Sequence, residues 1–256
     1  MLFRWFLFCV ALCAAAACRQ NLSRDGTKTS VTINVAAASD LTPAFTEIGT
    51  SLASSKSINA VFTFGSSGLL SKQIEQGAPF DVFVSASRGF ADRLEQQGLV
   101  LQGSTQVFAQ GSLVIWQRQD TLTPVHSLDD LVLPAIHRIA IANPEHAPYG
   151  LAARQALETN RVWEAVKDKV IFGENVAQTF QFAQTGNVDV AIVARSLTTR
   201  PQGRFIPVDS SAHAPIDQTL CILGRTRQLD ACRQFAEFLR SGDGRAILTQ
   251  YGFVAP

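Results

Sequence analysis

Val31-Thr-Ile-Asn-Val-Ala36, followed by Ala37-Ala38-Ser39-Asp40-Leu41, decides how the rest of the chain is read. The first six residues form an apolar, β-branched run of strand length that ends at Ala38-Ser39. Leu41, Phe45, Ile48 and Leu52 follow at spacings of four, three and four, which puts them on one face of a helix. A strand therefore runs through a hydroxylic residue directly into a helix. The unit recurs at Ala60–Phe64, which leads through Gly65-Ser66-Ser67-Gly68 into a helix from Leu69 to Gln76 that Gly77 can close. It recurs again at Asp81–Ser85, with a helix near Phe90 to Gln97. Strands joined in sequence through helices favour parallel sheets covered on both faces.

The series pauses at Gly111–Trp116, which reads as one strand, and at the Pro- and Asp-bearing stretch from Gln119 to Pro134. It then restarts: Arg138–Ala142 with a helix from about Gly150 to Thr159, Lys169–Phe172 with a helix at Val176–Gln184, and Asp189–Val193. Thr219–Leu223 is a late strand, and Leu229–Leu239 and Gly244–Thr249 are closing helices. Two consecutive α/β series of similar size predict two lobes. No period of 20 to 50 residues recurs, so the chain is not a solenoid.

The N-terminus is of another kind. Residues 1–18 carry one basic residue, Arg4, and then an unbroken apolar and small-residue run, the pattern of a secretory signal too short to span a bilayer comfortably. Ala15-Ala16-Ala17 supplies the small residues for cleavage before Cys18. A cysteine there resembles a lipoprotein box, although Ala15 stands where Leu is usual, and an ordinary A-x-A site predicts the same cut without a lipid. Residues 19–29 then read as a polar tether. An anchor at Cys18 places the protein in the periplasm or on the exterior of the cell envelope, and no later run is long enough to cross a membrane.

Composition narrows the function. With 46% apolar and 17% charged residues the chain is a folded globular protein, and 22 Lys and Arg against 21 Asp and Glu leave no basic footprint for nucleic acid. Five cysteines are too few for a disulfide framework. After export only Cys221 and Cys232 remain beyond Cys18, in an oxidising compartment. They read equally well as one bridge or as two buried thiols.

Chemistry concentrates where strands end in small or hydroxylic residues before a helix. Helix N-termini carry unpaired N–H groups and partial positive charge, so such ends facing a shared cleft would grip a small anion without Lys or Arg. Taken singly, Ser39 and Asn175 read as helix caps, Ser66 and Ser67 as turn residues, and Tyr149 as an exposed turn aromatic. A serine hydrolase built from Ser66 or Ser67 with His146 and Asp81 lacks its elbow, because G-x-S-x-G needs Gly at Leu69 or Phe64. His146 itself reads as a solvated or helix-capping residue. His126, His137 and His213 show no metal-ligand spacing, and no G-x-x-x-x-G-K-[ST] is present.

Five segments then occur in order: Ala36-Ala-Ala-Ser39-Asp-Leu; Phe64-Gly-Ser-Ser67-Gly-Leu; Gln73-Ile-Glu-Gln-Gly-Ala-Pro79 with Asp81-Val-Phe-Val-Ser-Ala86; Asn143-Pro-Glu-His-Ala-Pro-Tyr-Gly150; and Gly173-Glu-Asn-Val176. Together they closely resemble the molybdate-binding proteins of ABC importers, over about residues 31 to 253. The resemblance implies a two-lobed periplasmic binding protein with two crossovers and mostly parallel sheets flanked by helices. Lobe I would be residues 30–110 plus 216–256 and lobe II 111–215, with Gly111–Trp116 and Thr219–Leu223 as the crossing strands. It implies a monomer that is not an enzyme and needs no cofactor. That monomer captures molybdate or tungstate and passes it to a membrane permease with a separate ATPase.

Carried over by position, Ser39 and Ser67 donate through hydroxyl and backbone N–H, and Tyr149 and Val176 through backbone N–H. No residue coordinates metal directly, since molybdenum arrives as its oxyanion. The family's further tyrosine donor falls at Ala194 here, so the Tyr149 phenol or water would have to replace it. A donor-only pocket suits a fully ionised dianion and disfavours hydrogen phosphate. An inward-facing Asp40, Glu145 or Glu174 would weaken that argument. Another small oxyanion such as sulfate is the alternative ligand.

Overall fold

The computed structural model describes residues 30–199 and 203–256. The signal segment 1–18, Cys18 and the tether 19–29 lie outside them. Strand β1 (Val31–Ala38) passes through a 3-10 turn at Ser39–Leu41 into α1 (Thr42–Lys56), and β2 (Ile58–Gly65) into α2 (Ser67–Glu75). Next come β3 (Val82–Ser85), α3 (Arg88–Gln96) and β4 (Gln106–Gly111). The chain then crosses into β5 (Leu113–Arg118), β6 (Ile139–Ala142), α4 (Pro148–Thr159), the short α5 (Trp163–Val166), β7 (Val170–Gly173), α6 (Val176–Gln184), β8 (Val190–Ala194) and β9 (Gly203–Pro207). It returns through β10 (Ile216–Ile222) to α7 (Leu229–Arg240) and α8 (Gly242–Gln250).

These strands form two five-stranded sheets of the same design, in the orders β2-β1-β3-β10-β4 and β7-β6-β8-β5-β9. In each, two pairings are parallel and two antiparallel, because one strand is reversed: β10 in the first sheet and β5 in the second. Both reversed strands directly follow a crossing from the other sheet. The stretch Gly111–Trp116 is divided, since β4 ends at Gly111 and β5 begins at Leu113. Strands β4 and β9 carry no signal in the sequence. Both are edge strands beside a reversed one, with few fully buried positions, so their hydrophobic alternation is weak.

The first sheet separates two apolar layers. Ile33, Val35, Val82, Val84, Leu220 and Ile222 point to the side of α1 and α7, where Phe45 packs on Phe62, Phe108 and Phe235 with ring centroids 5.4 to 6.4 Å apart. Leu41, Phe45, Ile48 and Leu52 are all fully buried, so the spacing of four, three and four marks the helix face that holds this core. Removing one such ring costs about 3–5 kcal/mol. Ala36, Phe83, Cys221 and Leu223 point to the other side, against Leu70 and Ile74 of α2 and Leu94 of α3.

This layering corrects the reading of a bridge between Cys221 and Cys232. Both are free and buried. Cys221 lies in the layer under α2 and α3, whereas Cys232 lies in the Phe45 layer beside the Thr226 hydroxyl, so the sheet stands between the two thiols. Burial pushes them up to about 12 and about 11, which keeps both protonated.

Candidate functional site

Five chain segments meet where the C-terminal strand ends of the two sheets face each other. Ala38, Ser39, Asp40, Gly65, Ser66, Ser67 and Ala86 come from one side and Ala147, Pro148, Tyr149 and Val176 from the other, around a cavity of about 10 Å³. Ser39, Ser67, Tyr149 and Val176 are thus brought together, and each is at most 4% exposed. Three of them open helices. Ser67 is the first residue of α2, Tyr149 follows Pro148 at the start of α4, and Val176 opens α6, so three helix N-termini, whose first N–H groups have no partner within the helix, sit at the cavity wall. Pro148 at the first helical position loses no hydrogen bond, because its N–H would have had no partner there.

The single-residue readings separate at this point. Asn175 is the helix cap, accepting from Gln178 N at 3.0 Å. Ser39 makes no cap. Its Oγ accepts from Ala177 N of the facing α6 at 3.4 Å. Ser67 Oγ accepts from Ala86 N at 3.1 Å, which fixes its rotamer at the cavity edge. Tyr149 is 2% exposed and not a surface aromatic.

The two sides are in direct contact. Gly68 N donates to His146 O at 2.9 Å, and Ser196 Oγ donates to Asp40 O at 2.7 Å. A Cβ on Gly68 would lie 2.8 Å from His146 O and 2.9 Å from His146 Cβ, so glycine is what permits this approach. His146 is half-buried rather than solvated, with Nδ1 2.8 Å from Ser66 Oγ. Ser66 also donates its proton to the His146 carbonyl, which leaves Nδ1 as a donor toward Oγ and not as a base. Asp81 is engaged by Asn34 N and the Thr226 hydroxyl, so the hydrolase arrangement is not assembled.

One residue that the sequence left among three alternatives is decisive for the electrostatics. Glu145 and Glu174 are exposed, but Asp40 is fully buried in the cavity wall, with Oδ2 accepting from Gln218 Nε2 at 2.8 Å. Burial, the largest cause, lifts its pKa from the usual carboxylate range to about 7, against the smaller lowering effects of Tyr149, its own backbone and Gln218. The Tyr149 phenol is pushed well above its ordinary value, by burial first and then by Asp40. Asp40 Oδ1, Tyr149 Oη and Gln218 Oε1 all lack a hydrogen bond of good geometry. The wall is therefore not donor-only, and that part of the argument for a fully ionised dianion is corrected. Tyr149 Oη lies against Gly111, where a Cβ would come within 2.0 Å of it, so the phenol is turned toward the crossing strand. Ala194, at the end of β8, is fully buried and pairs with Leu113. Among the described residues no cluster of His, Cys, Asp or Glu is arranged to hold a metal ion.

Comparison with known proteins gives this geometry its context. Residues 33–254 match the family model for bacterial extracellular solute-binding proteins. The chain belongs to that family. This solute-binding protein is 31% identical to the molybdate-binding protein ModA of Rhodobacter capsulatus, over 86% of each chain. It is 29% identical to the putative ABC transporter substrate-binding lipoprotein YvgL of Bacillus subtilis, over 98% of each. Among solved structures, the periplasmic molybdate-binding protein of Azotobacter vinelandii superposes with a TM-score of 0.82 at 26% identity, covering 88% of this chain and 99% of that one. The two-lobed periplasmic binding-protein fold is thereby established for this solute-binding protein, and its family is one of ligand capture rather than catalysis. Among the described residues no helix is long and apolar enough to cross a membrane.

Proposed function

We propose that this protein captures molybdate, with tungstate as a second ligand, and hands it to the membrane permease of an ABC importer whose ATPase is a separate polypeptide. The observation that carries the proposal is the convergence of Ser39 and Ser67 from one lobe with Tyr149 and Val176 from the other on one small cavity with no Lys or Arg in its wall. Hydroxyls and helix N-termini can hydrogen-bond all sides of a tetrahedral oxyanion without an ion pair. Likeness to proteins named as molybdate-binding supports this choice of anion over sulfate. The lobe limits that suit it are 30–110 plus 216–256 and 111–215, with the hinge at the two crossings into β5 and β10.

The same reading makes the exported protein a monomer, anchored through a lipidated Cys18 in the periplasm or on the exterior of the cell envelope. The likeness to a protein named as a lipoprotein, over 98% of this chain, supports the anchor. Titration calorimetry with molybdate, tungstate, sulfate and hydrogen phosphate tests the function. Tight binding of the first two and at least hundredfold weaker binding of the others is expected. Equal affinity for sulfate, or no binding of molybdate, would overturn it.

A further inference from the structure

Asp40 is an unusual component for an anion site. Its carboxyl is wholly removed from water, lines the cavity beside Ser39, and has one hydrogen bond, from a neutral amide, while Oδ1 has none. Among the described residues no cation is paired with it, and Arg154 of α4 is held by Glu158 and stacks on the Trp163 ring. Strands β1 and β2 and helix α6 carry no titratable side chain. On α1, Glu47 is held by the Tyr251 hydroxyl and Lys56 lies in the last turn. On the 3-10 turn after β8, Arg195 stacks 4.0 Å from the Phe205 ring centroid and bonds Thr198. Asp217 on β10 is bound by Gln110. The titratable group that faces Asp40 is Tyr149, a neutral phenol.

An ionised carboxylate here would be buried, unpaired and next to a doubly charged ligand, the combination that neither desolvation nor like-charge repulsion tolerates. We propose that Asp40, ionised while the lobes are parted and water reaches the strand end, is a positioning residue that must be neutral for the cleft to close on a dianion, so that capture of the oxyanion takes up one proton. Gln218 Nε2 holds Oδ2, which leaves Oδ1 to carry the proton toward the Tyr149 side, and Ser196 fixes the Asp40 backbone carbonyl. The proton comes from solvent and returns to it when the lobes open, so oxyanion release is favoured wherever the proton is lost. This rests on the oxyanion-binding reading above and deepens it.

The test is calorimetric titration of the wild-type protein with sodium molybdate at pH 6, 7 and 8, each in buffers of different ionisation enthalpy. Uptake approaching one proton per oxyanion is expected at pH 7, with affinity weakening by up to about tenfold per pH unit above it. Asp40→Asn keeps the shape and neutrality, and should bind with no proton uptake and a flat pH profile. His146, which also sits where the lobes touch, is examined through His146→Gln, which should retain the uptake. Molybdate binding with no proton uptake in the wild type would overturn the proposal while leaving the function intact. So would uptake that persists in Asp40→Asn or vanishes in His146→Gln. Failure of every oxyanion to bind would instead remove the functional reading.

Discussion

The two lobes share one sheet design but contribute to the site by different means. β1 and β2 in the first correspond by sheet position to β6 and β7 in the second, and the four site residues follow these four strands. In the first lobe, Ser39 comes directly after β1 and Ser67 two residues after β2, and both offer side-chain hydroxyls. In the second, Tyr149 and Val176 lie at helix starts where the backbone N–H is the useful group. The connection after β6 is also longer and carries His146 across to Ser66 and Gly68. Under the proposed function the first lobe would contribute hydroxyls as well as backbone N–H groups and the second backbone N–H groups alone, and substitutions should fall unequally on them.

The largest effect is expected at the contact that brings the lobes together. Gly68→Ala places a methyl 2.8 Å from the His146 carbonyl oxygen, so calorimetry should find oxyanion affinity lower by more than about a hundredfold, with the melting temperature nearly unchanged. An unaltered affinity would mean that the lobes need not approach this closely. Next come the first-lobe hydroxyls. Ser39→Ala and Ser67→Ala should each cost about 1.5–3 kcal/mol of binding, roughly ten- to hundredfold, with the fold intact. If both variants bind like the parent, the side-chain half of the comparison fails.

A smaller effect, on stability, follows from Asp40. The closed folded protein holds the proton up to about pH 7, whereas the unfolded carboxyl releases it near 3.8, so the closed state binds more protons in that window. The stability of the molybdate-bound protein should therefore fall as pH rises from about 4 through about 7. Thermal melts of parent and Asp40→Asn in excess molybdate across pH 4–9 should show this slope in the parent and lose it in the variant. Equal slopes would place the titration elsewhere. The smallest effects belong to the second lobe. Val176→Ala and Tyr149→Phe keep their backbone N–H groups and should change affinity by less than about threefold. A loss of tenfold or more in Tyr149→Phe, recovered on adding Ala194→Tyr, would make the phenol a ligand after all.

Much of this architecture was legible before any coordinates. Periodicity located eight of the ten strands, and the ordered segments around Ser39, Ser67, Tyr149 and Val176 marked residues that meet at one cavity. Local pattern could do this because a strand that ends at a helix is a short-range event, recorded in neighbouring residues. The edge strands β4 and β9 escaped because partial burial weakens their alternation, and the bridge between Cys221 and Cys232 failed because spacing along the chain does not say which face of a sheet a thiol occupies. Glu145, Glu174 and Asp40 were equivalent as sequence. Only the tertiary structure left the first two in water and enclosed the third between lobes, 178 residues from the Gln218 amide that holds it. Secondary structure follows from side chains a few positions apart, whereas a carboxyl group's charge depends on the water that distant segments displace from it.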